Sequence, residues 1–103
     1  MKDYAEVHGE HVRLSVLRIL AKQANYQIND SVLTQMVSDG LGLSCTRDQM
    51  RGHIAWLDEQ GLVKAVPAEG ASRLTLARLT ESGGEVAKGA RTVPGVQRPS
   101  PGE

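Results

Sequence analysis

Three hydrogen-bonding side chains near the middle of the chain are the residues best suited to bind a ligand. Arg47, Gln49 and Arg51 stand at the start of an amphipathic segment. Guanidinium and carboxamide groups can form paired hydrogen bonds with the edge of a base in the major groove of DNA. Gly52 and Ala55 follow, and such small residues would let the backbone come close to a partner. These positions predict a helix face that reads base edges.

A second group of basic residues surrounds a predicted β-hairpin. Between positions 62 and 80, Lys64, Arg73 and Arg78 stand against one acid, Glu69, so three positive charges meet one negative charge. Basic side chains beside a hairpin are typical of phosphate contacts. Exposed strand edges also favour Lys and Arg, because these residues block aggregation. Both interpretations of the basic residues stay open.

Metal binding and catalysis have little support in the sequence. His8 and His11 have the i, i+3 spacing that can begin a zinc site, but a third and fourth ligand are not evident. The single cysteine, Cys45, cannot form an internal disulfide or a cysteine-rich metal site. No nucleophile elbow, P-loop or pair of catalytic carboxylates is present. We therefore expect surface histidines, no metal, no cofactor and no enzymatic activity.

Length and charge restrict the class of protein. The 103 residues suffice for one domain, and twelve Lys and Arg balance twelve Asp and Glu. A net charge of zero excludes a strongly basic, histone-like binder and an acidic disordered protein. No apolar run approaches a bilayer crossing, and the acidic start is unlike a signal peptide. The sequence thus predicts a cytoplasmic protein without membrane contact.

Apolar spacing predicts a first helix from about Asp3 to Ala24. Its core-facing stripe has the i, i+3, i+7, i+10 pattern, with two further apolar residues beside it: Leu14, Leu17, Ala21, Ala24, Val16 and Leu20. The basic residues fall largely off this stripe, so we expect them on a solvated face: Arg13, Arg18 and Lys22.

Capping residues predict two more helices. Asn29 is a candidate N-cap for a helix of nine or ten residues, with Ile28 and Leu33 as a hydrophobic staple. That helix should end at Gly40 in a left-handed conformation, with Leu41 folded back. The third helix should run from Arg47 to Gln60, starting from a capping box formed by Thr46 and Gln49. Its buried row is Met50, Ile54 and Leu57. Gly61 followed by Leu62 predicts a Schellman ending.

The pattern then changes from helical to strand-like. Leu62–Val66 and Arg73–Leu79 predict two strands around a turn at Pro67–Ala71. Thr80 can cap a last short helix from Glu81 to about Ala90. The remaining residues, 91–103, contain three prolines and two glycines with almost no apolar anchor, which predicts an extended or disordered tail.

This order of elements is that of a winged helix-turn-helix domain, mainly α with a small β-hairpin. Residues 1–90 would form a three-helix core, a two-stranded wing and a short C-terminal helix, followed by the flexible tail at 91–103. A shallow hairpin cannot bury its own face and must lie on the helices. The third helix would then present one face to a DNA groove, with the hairpin tip at the neighbouring backbone.

Two larger side chains of the third helix have structural predictions. Trp56 lies on a flank of that helix and is expected to cover the gap towards the hairpin or the first helix, with a dimer contact as the alternative. His53 borders the core face and is expected to be packed or hydrogen-bonded.

Nearly the whole chain also resembles a family of small Mu-like phage and prophage proteins. The matching pieces are Thr46-Arg47-Asp48-Gln49, Ile54-Ala55-Trp56-Leu57, Glu59-Gln60-Gly61-Leu62-Val63, Leu79-Thr80-Glu81-Ser82-Gly83, Val86-Ala87 with Gly89, and the ending Val93-Pro94-Gly95-Val96-Gln97-Arg98-Pro99-Ser100-Pro101. Such proteins are usually described as transcriptional regulators. The resemblance implies the winged helix fold and a phage or prophage origin.

Together these observations predict a phage or prophage transcriptional regulator that binds double-stranded DNA. The expected DNA-contacting residues are Thr46, Arg47, Gln49, Arg51, Lys64 and Arg73. Operator symmetry suggests a homodimer, with the first and last helices as its surfaces. The alternative is a winged helix module that binds a phage protein in packaging or assembly, which zero net charge and the acids of the third helix favour.

Overall fold

The computed structural model describes residues 2–68 and 73–100. Within them it has four α-helices, three β-strands and one π-helical turn at Met36–Gly40. In chain order the helices and strands are α1 Tyr4–Ala21, β1 Gln27–Asn29, α2 Asp30–Gln35, α3 Arg47–Glu59, β2 Val63–Pro67, β3 Thr75–Leu79 and α4 Glu81–Lys88. Glu69, Gly70 and Ala71 of the predicted turn lie outside the described residues.

The capping signals of α3 are confirmed at both ends of the helix. The Thr46 hydroxyl accepts from the Gln49 backbone N–H, and the Gln49 side chain accepts from the Thr46 backbone N–H. At the other end Gly61 takes φ 75°. The Leu62 N–H then bonds to the Leu57 carbonyl at 2.9 Å, which completes the Schellman ending. The predicted boundaries of α3 were correct to one residue.

The second helix begins as predicted but ends differently. The Asn29 side chain caps it by accepting from Val32 N–H. The α-helix stops after six residues, and the chain continues into the π-helical turn. Gly42, and not Gly40, takes a left-handed conformation, with φ 69°. Leu41 is 53% exposed, so the predicted Schellman ending at Gly40 was wrong.

The hairpin belongs to a three-stranded antiparallel sheet of order β1-β3-β2. The additional strand, β1, aligns Ile28 with Ala77 at the centre of the sheet. A two-stranded wing was predicted, and the difference has a physical cause. Three residues between two helices carry too short a pattern to indicate a strand, and β1 exists because β3 offers it a free edge.

The hydrophobic core lies where the helices meet the inner face of this sheet. Its largest fully buried side chains come from α1, α2, α3 and the turn after α3: Leu17, Leu20, Leu33, Met50, Ile54, Leu57 and Leu62. The predicted buried rows of the first and third helices are thus confirmed up to Leu20 and Leu57. The first helix ends at Ala21, which is half-buried, and not at Ala24, which is exposed. None of the four helices in the described ranges is long and apolar enough to cross a bilayer.

Part of the predicted tail packs on α1. Val96 is only 8% exposed, and the Gln97 N–H bonds to the Glu10 carbonyl at 3.2 Å. The expectation that the tail has almost no apolar anchor was therefore wrong, because Val96 finds a site that only the folded helices create. The flexibility of residues 91–103 stays a prediction, and 101–103 lie outside the described residues.

Gly83 allows α4 to pack tightly behind the start of the hairpin. Thr80 caps α4 by accepting from the Gly83 N–H at 3.0 Å. A Cβ on Gly83 would lie 2.0 Å from the Leu62 carbonyl oxygen and 2.8 Å from Leu79 Cδ1. The next residue, Gly84, is open by comparison, since its Cβ would meet only Leu79 Cδ2 at 3.8 Å.

We therefore predict opposite effects of alanine at neighbouring glycines. Gly83→Ala should lower the free energy of unfolding by about 2 kcal/mol or more, because backbone at Leu62 must move. Gly84→Ala should raise it by about 0.5–1 kcal/mol through the entropy of the unfolded chain and helix propensity. Urea unfolding measures both, and equal effects at the two positions would contradict this packing.

Candidate nucleic-acid interface

The outer face of α3 is open and carries small and acidic residues. Asp48, Gly52, Ala55 and Glu59 are all exposed, opposite the buried row of the helix, as predicted. Gly52 has nothing within 4 Å of the position that a Cβ would take. The face therefore offers room for a groove or a partner surface, but its formal charge is negative.

Two of the predicted contact residues are used in the cap of α3. Both Thr46 and Gln49 are exposed, yet the hydroxyl of the first and the carboxamide oxygen of the second hold the start of the helix. The amide nitrogen of Gln49 remains the group that this residue can offer to a base edge. The cap thereby fixes where that nitrogen lies.

Arg47 and Arg51 converge on Asp30, a residue that the sequence analysis did not single out. Asp30 is the first residue of α2 and is fully buried. Arg51 Nε donates to Asp30 Oδ2 at 2.8 Å, and Arg47 Nη2 lies 3.6 Å from Asp30 Oδ1. A buried carboxylate needs such partners, since burial without them costs several kcal/mol. The pair of arginines therefore joins α3 to α2.

The environment of Asp30 favours its charged form. Burial alone would raise the pKa of this carboxyl. The hydrogen bond from Arg51 and the backbone N–H of Thr75 lower that pKa, and the charges of Arg47 and Arg51 lower it further. The balance leaves the Asp30 pKa below its ordinary value of 3.8. Asp30 thus stays ionised whenever the protein is near neutral pH.

The same arginines also hold the hairpin. Arg47 Nη2 and Arg51 Nη2 donate to the Arg73 carbonyl oxygen at 2.8 and 2.6 Å. Arg73 stands two residues before β3, so this carbonyl fixes relative to α3 the described end of the hairpin around Arg73, here called the hairpin tip. About two-fifths of each arginine side chain remains exposed, 41% for Arg47 and 42% for Arg51. They are bound within the protein, where the sequence suggested free side chains.

The two predicted phosphate contacts on the hairpin lie in different places. The Arg73 side chain is exposed at the hairpin tip, where only its carbonyl is held by α3. Lys64 is exposed on the outer face of the sheet, directly opposite Arg78 of the central strand. That position is three residues from Pro67, roughly 10 Å from the tip end of β2. The structure thus brings Arg73 to the α3 side and leaves Lys64 away from it.

Acidic residues line the shallow groove between α3 and the hairpin. The groove has a volume of about 460 Å³ and includes Arg51, Ala55, Asp58, Glu59 and Ala65 in its wall. The Asp58 carboxylate accepts a long hydrogen bond, 3.4 Å, from the Ala65 N–H of β2. Asp58 therefore covers a free backbone donor on the edge strand, a structural role that accounts for an acid at this place.

The remaining candidates from the sequence have structural contacts. His8 Nε2 donates to the Ser44 carbonyl at 2.6 Å and its ring stacks on Tyr4, while His11 is exposed. Throughout residues 2–68 and 73–100, no three His, Cys, Asp or Glu side chains form a group able to hold a metal ion. Burial raises the pKa of the Cys45 thiol, which opposes thiolate chemistry.

Relatives by sequence come from a phage and a bacterium. "Uncharacterized protein gp26" of Escherichia phage Mu is 40% identical over 96 residues, which span 93% of this chain and 95% of gp26. The chain belongs to the gp26 family. An uncharacterized protein of Haemophilus influenzae is 40% identical over 63 residues, covering 58% of this chain and 57% of that protein. No established family profile matches the sequence.

Two solved structures show that this chain has the winged helix fold. Sco3205, a MarR family transcriptional regulator from Streptomyces coelicolor solved in complex with DNA, superposes with a TM-score of 0.64 over 88% of this chain at 23% identity. Lactococcus lactis ZitR superposes with a TM-score of 0.55 over 82% of this chain at 26% identity. This chain spans 55% and 57% of those two chains. The predicted winged helix is confirmed.

The Asp30 cluster generates a prediction about acid stability. Because the folded pKa is depressed, Asp30 contributes stability that is complete above the ordinary value of 3.8 and is lost as the pH falls through the lower folded pKa. Asp30→Asn should lower the free energy of unfolding by about 2 kcal/mol at neutral pH. The loss is smaller than that expected for a fully buried ion pair, because both arginines keep access to water. The difference in the free energy of unfolding between wild type and variant should become smaller in acid.

Urea unfolding of both proteins at neutral and acidic pH measures this difference. Asp39→Asn is the matched control, because Asp39 is exposed on the π-helical turn. A cost at Asp30 that persists unchanged in strong acid would contradict the role of its charge.

Proposed function

We propose that this protein of the gp26 family binds double-stranded DNA and acts as a phage or prophage transcriptional regulator. The observation that carries the proposal is the fixed arrangement of the open α3 face and the hairpin tip. Arg47 and Arg51 hold the two at one distance through the Arg73 carbonyl. A helix in the major groove and a tip on the neighbouring backbone need such a fixed spacing.

Within this arrangement the six predicted residues take different roles. The Arg73 side chain would contact phosphate at the tip, and the Gln49 amide nitrogen would reach a base edge at the start of α3. Arg47 and Arg51 would act mainly by positioning, with their exposed parts available to phosphate. Thr46 would act indirectly, by capping α3, and Lys64 would contribute only long-range attraction to the DNA.

The likeness to a regulator solved with DNA supports this proposal at the level of the fold. The relationship to a phage Mu protein supports a phage or prophage role. A homodimer would match a two-fold operator. Its surface would lie on exposed parts of α1 and α4, two helices that pack on each other here. Sedimentation analysis with and without duplex tests that part of the proposal.

The second candidate function is binding of a phage protein in packaging or assembly. The observation that favours it is the negative charge on the α3 face, where Asp48, Asp58 and Glu59 are exposed. These carboxylates repel phosphate and would suit a basic protein surface instead.

A backbone amide NMR titration with a random duplex at low salt separates the two functions. Nonspecific DNA binders have dissociation constants of about 10⁻⁴–10⁻⁶ M, which such a titration detects. For a DNA binder we expect shifts at residues 46–55 and near Arg73 that fade with added salt. The absence of shifts at high duplex concentration would overturn DNA binding and favour the protein partner.

Arg73→Gln sharpens the same test. The substitution removes the charge but keeps the backbone carbonyl that α3 holds, so the fold should be unaffected. Loss of one phosphate contact should reduce the slope of log affinity against log salt by about one. Lys88→Gln on α4 is the control for net charge and should change the slope little. Equal effects of the two variants would contradict a contact at the hairpin tip.

A further inference from the structure

Arg13 of α1 contacts three residues that are not among the proposed DNA contacts. Its Nε donates to the Gly95 carbonyl at 2.6 Å, and its guanidinium lies over the Trp56 ring, 4.7 Å from the centroid. Its Nη1 is 3.2 Å from His53 Nδ1. We predicted Arg13 on a solvated face, but it is half-buried at the junction of α1, α3 and the C-terminal residues.

Residues 93–97, here called the C-terminal segment, fit closely against this junction. A Cβ on Gly95 would lie 2.6 Å from the Trp56 ring, so the backbone touches the indole directly. Gly95 has φ 98°, a conformation that L side chains rarely adopt. Val96 is buried beside it, and the Gln97 N–H bonds to Glu10. Trp56 thus fills the gap towards α1, as predicted, and also receives the segment.

The hydrogen bond between Arg13 and His53 sets the protonation state of His53. A guanidinium has only donors, so His53 Nδ1 must accept and its imidazole must be neutral. An imidazolium has no acceptor and would place a second cation 3.2 Å from Arg13 Nη1. Protonation therefore removes one bond of Arg13 and adds repulsion at the residue that holds Gly95.

We propose that protonation of His53 releases the C-terminal segment from α1 and α3. The segment is held while His53 is neutral and Arg13 spans His53, Trp56 and Gly95. When His53 gains a proton, Arg13 moves away from it and loses the geometry for the Gly95 carbonyl. The proton comes from solvent and forms the N–H bond at His53 Nδ1; every other change is in hydrogen bonds. This proposal is independent of DNA binding.

The charged groups around His53 also disfavour its protonation while the segment is held. From α1, Arg13 and His8 face it, and both disfavour a further positive charge. Glu10 acts on Arg13 and is itself paired with Lys2. One turn away on α3, the neighbours Gln49 and Leu57 carry no charge, and the segment presents the Gly95 carbonyl.

The pH range follows from the sign of the shift. Burial, then the charges of Arg13 and His8, lower the His53 pKa from its ordinary value of 6.5. In the released state His53 is more exposed and its pKa is closer to 6.5. The segment is therefore held above 6.5 and released as the pH falls below it. Each pH unit between the two pKa values weakens the held state about tenfold.

Methyl NMR of the 103-residue protein tests the proposal during an acid titration. The Val96 methyl signals should move towards random-coil positions below the ordinary histidine pKa, while those of Leu33 in the core stay in place. Acrylamide quenching of Trp56, the only tryptophan, should rise over the same range. His53→Asn keeps an acceptor at the δ position and cannot gain a proton, so both changes should disappear.

His8→Asn is the control, because it also removes a histidine of this region, but one that holds Ser44 and not the segment. It should retain the Val96 transition, with a midpoint moved slightly upward, because His8 contributes to the lowering of the His53 pKa. Three results would each overturn the proposal: unmoved Val96 methyl signals in the wild type, an unchanged transition in His53→Asn, or its loss in His8→Asn.

Discussion

The buried carboxylate of Asp30 is the constraint on which the geometry of the interface depends. A carboxylate without water is tolerable only where cations and donors surround it, and here they come from α3 and the edge of β3. Any movement of α3 or of the hairpin away from α2 would leave Asp30 uncompensated. Both arginines also donate to the Arg73 carbonyl, Arg51 through its Nη2 and Arg47 through the same Nη2 that lies near Asp30, so one buried charge fixes three elements together.

This constraint changes how the basic residues of this protein should be understood. Arg47 and Arg51 stand where a DNA-reading helix usually has its base contacts, yet their strongest partners lie inside the protein. A winged helix gains specificity from rigid placement as well as from individual contacts. Arginine suits that task, because its planar fork can bind a carboxylate and a carbonyl at once.

Local signals made the helices predictable from sequence. The capping box of Thr46 and Gln49 and the Schellman ending at Gly61 depend on residues within five positions, so the pattern contains all the information needed. The same is true of Asn29 and Thr80 as caps. The predicted winged helix followed from those boundaries and from the change of periodicity after Gly61.

What the sequence could not indicate depends on contacts between distant residues. β1 needs the edge of β3, and Val96 needs a site shared by α1 and α3. Asp30 resembled an ordinary acid in the first turn of a helix, where a negative charge is favourable even in water. One signal was available: two arginines four apart, beside a hydrophobic face, are costly to bury without a carboxylate nearby.

The charge distribution argues for a binding mode that depends on fit. Zero net charge gives little long-range attraction to a polyanion, and the acids of the α3 face oppose close approach of phosphate. A duplex would therefore gain affinity only when the tip and the helix engage together, since neither has a surplus of charge large enough to bind alone. Rigid coupling through Asp30 reduces the conformational entropy lost when both elements bind together, because they are already held at one spacing.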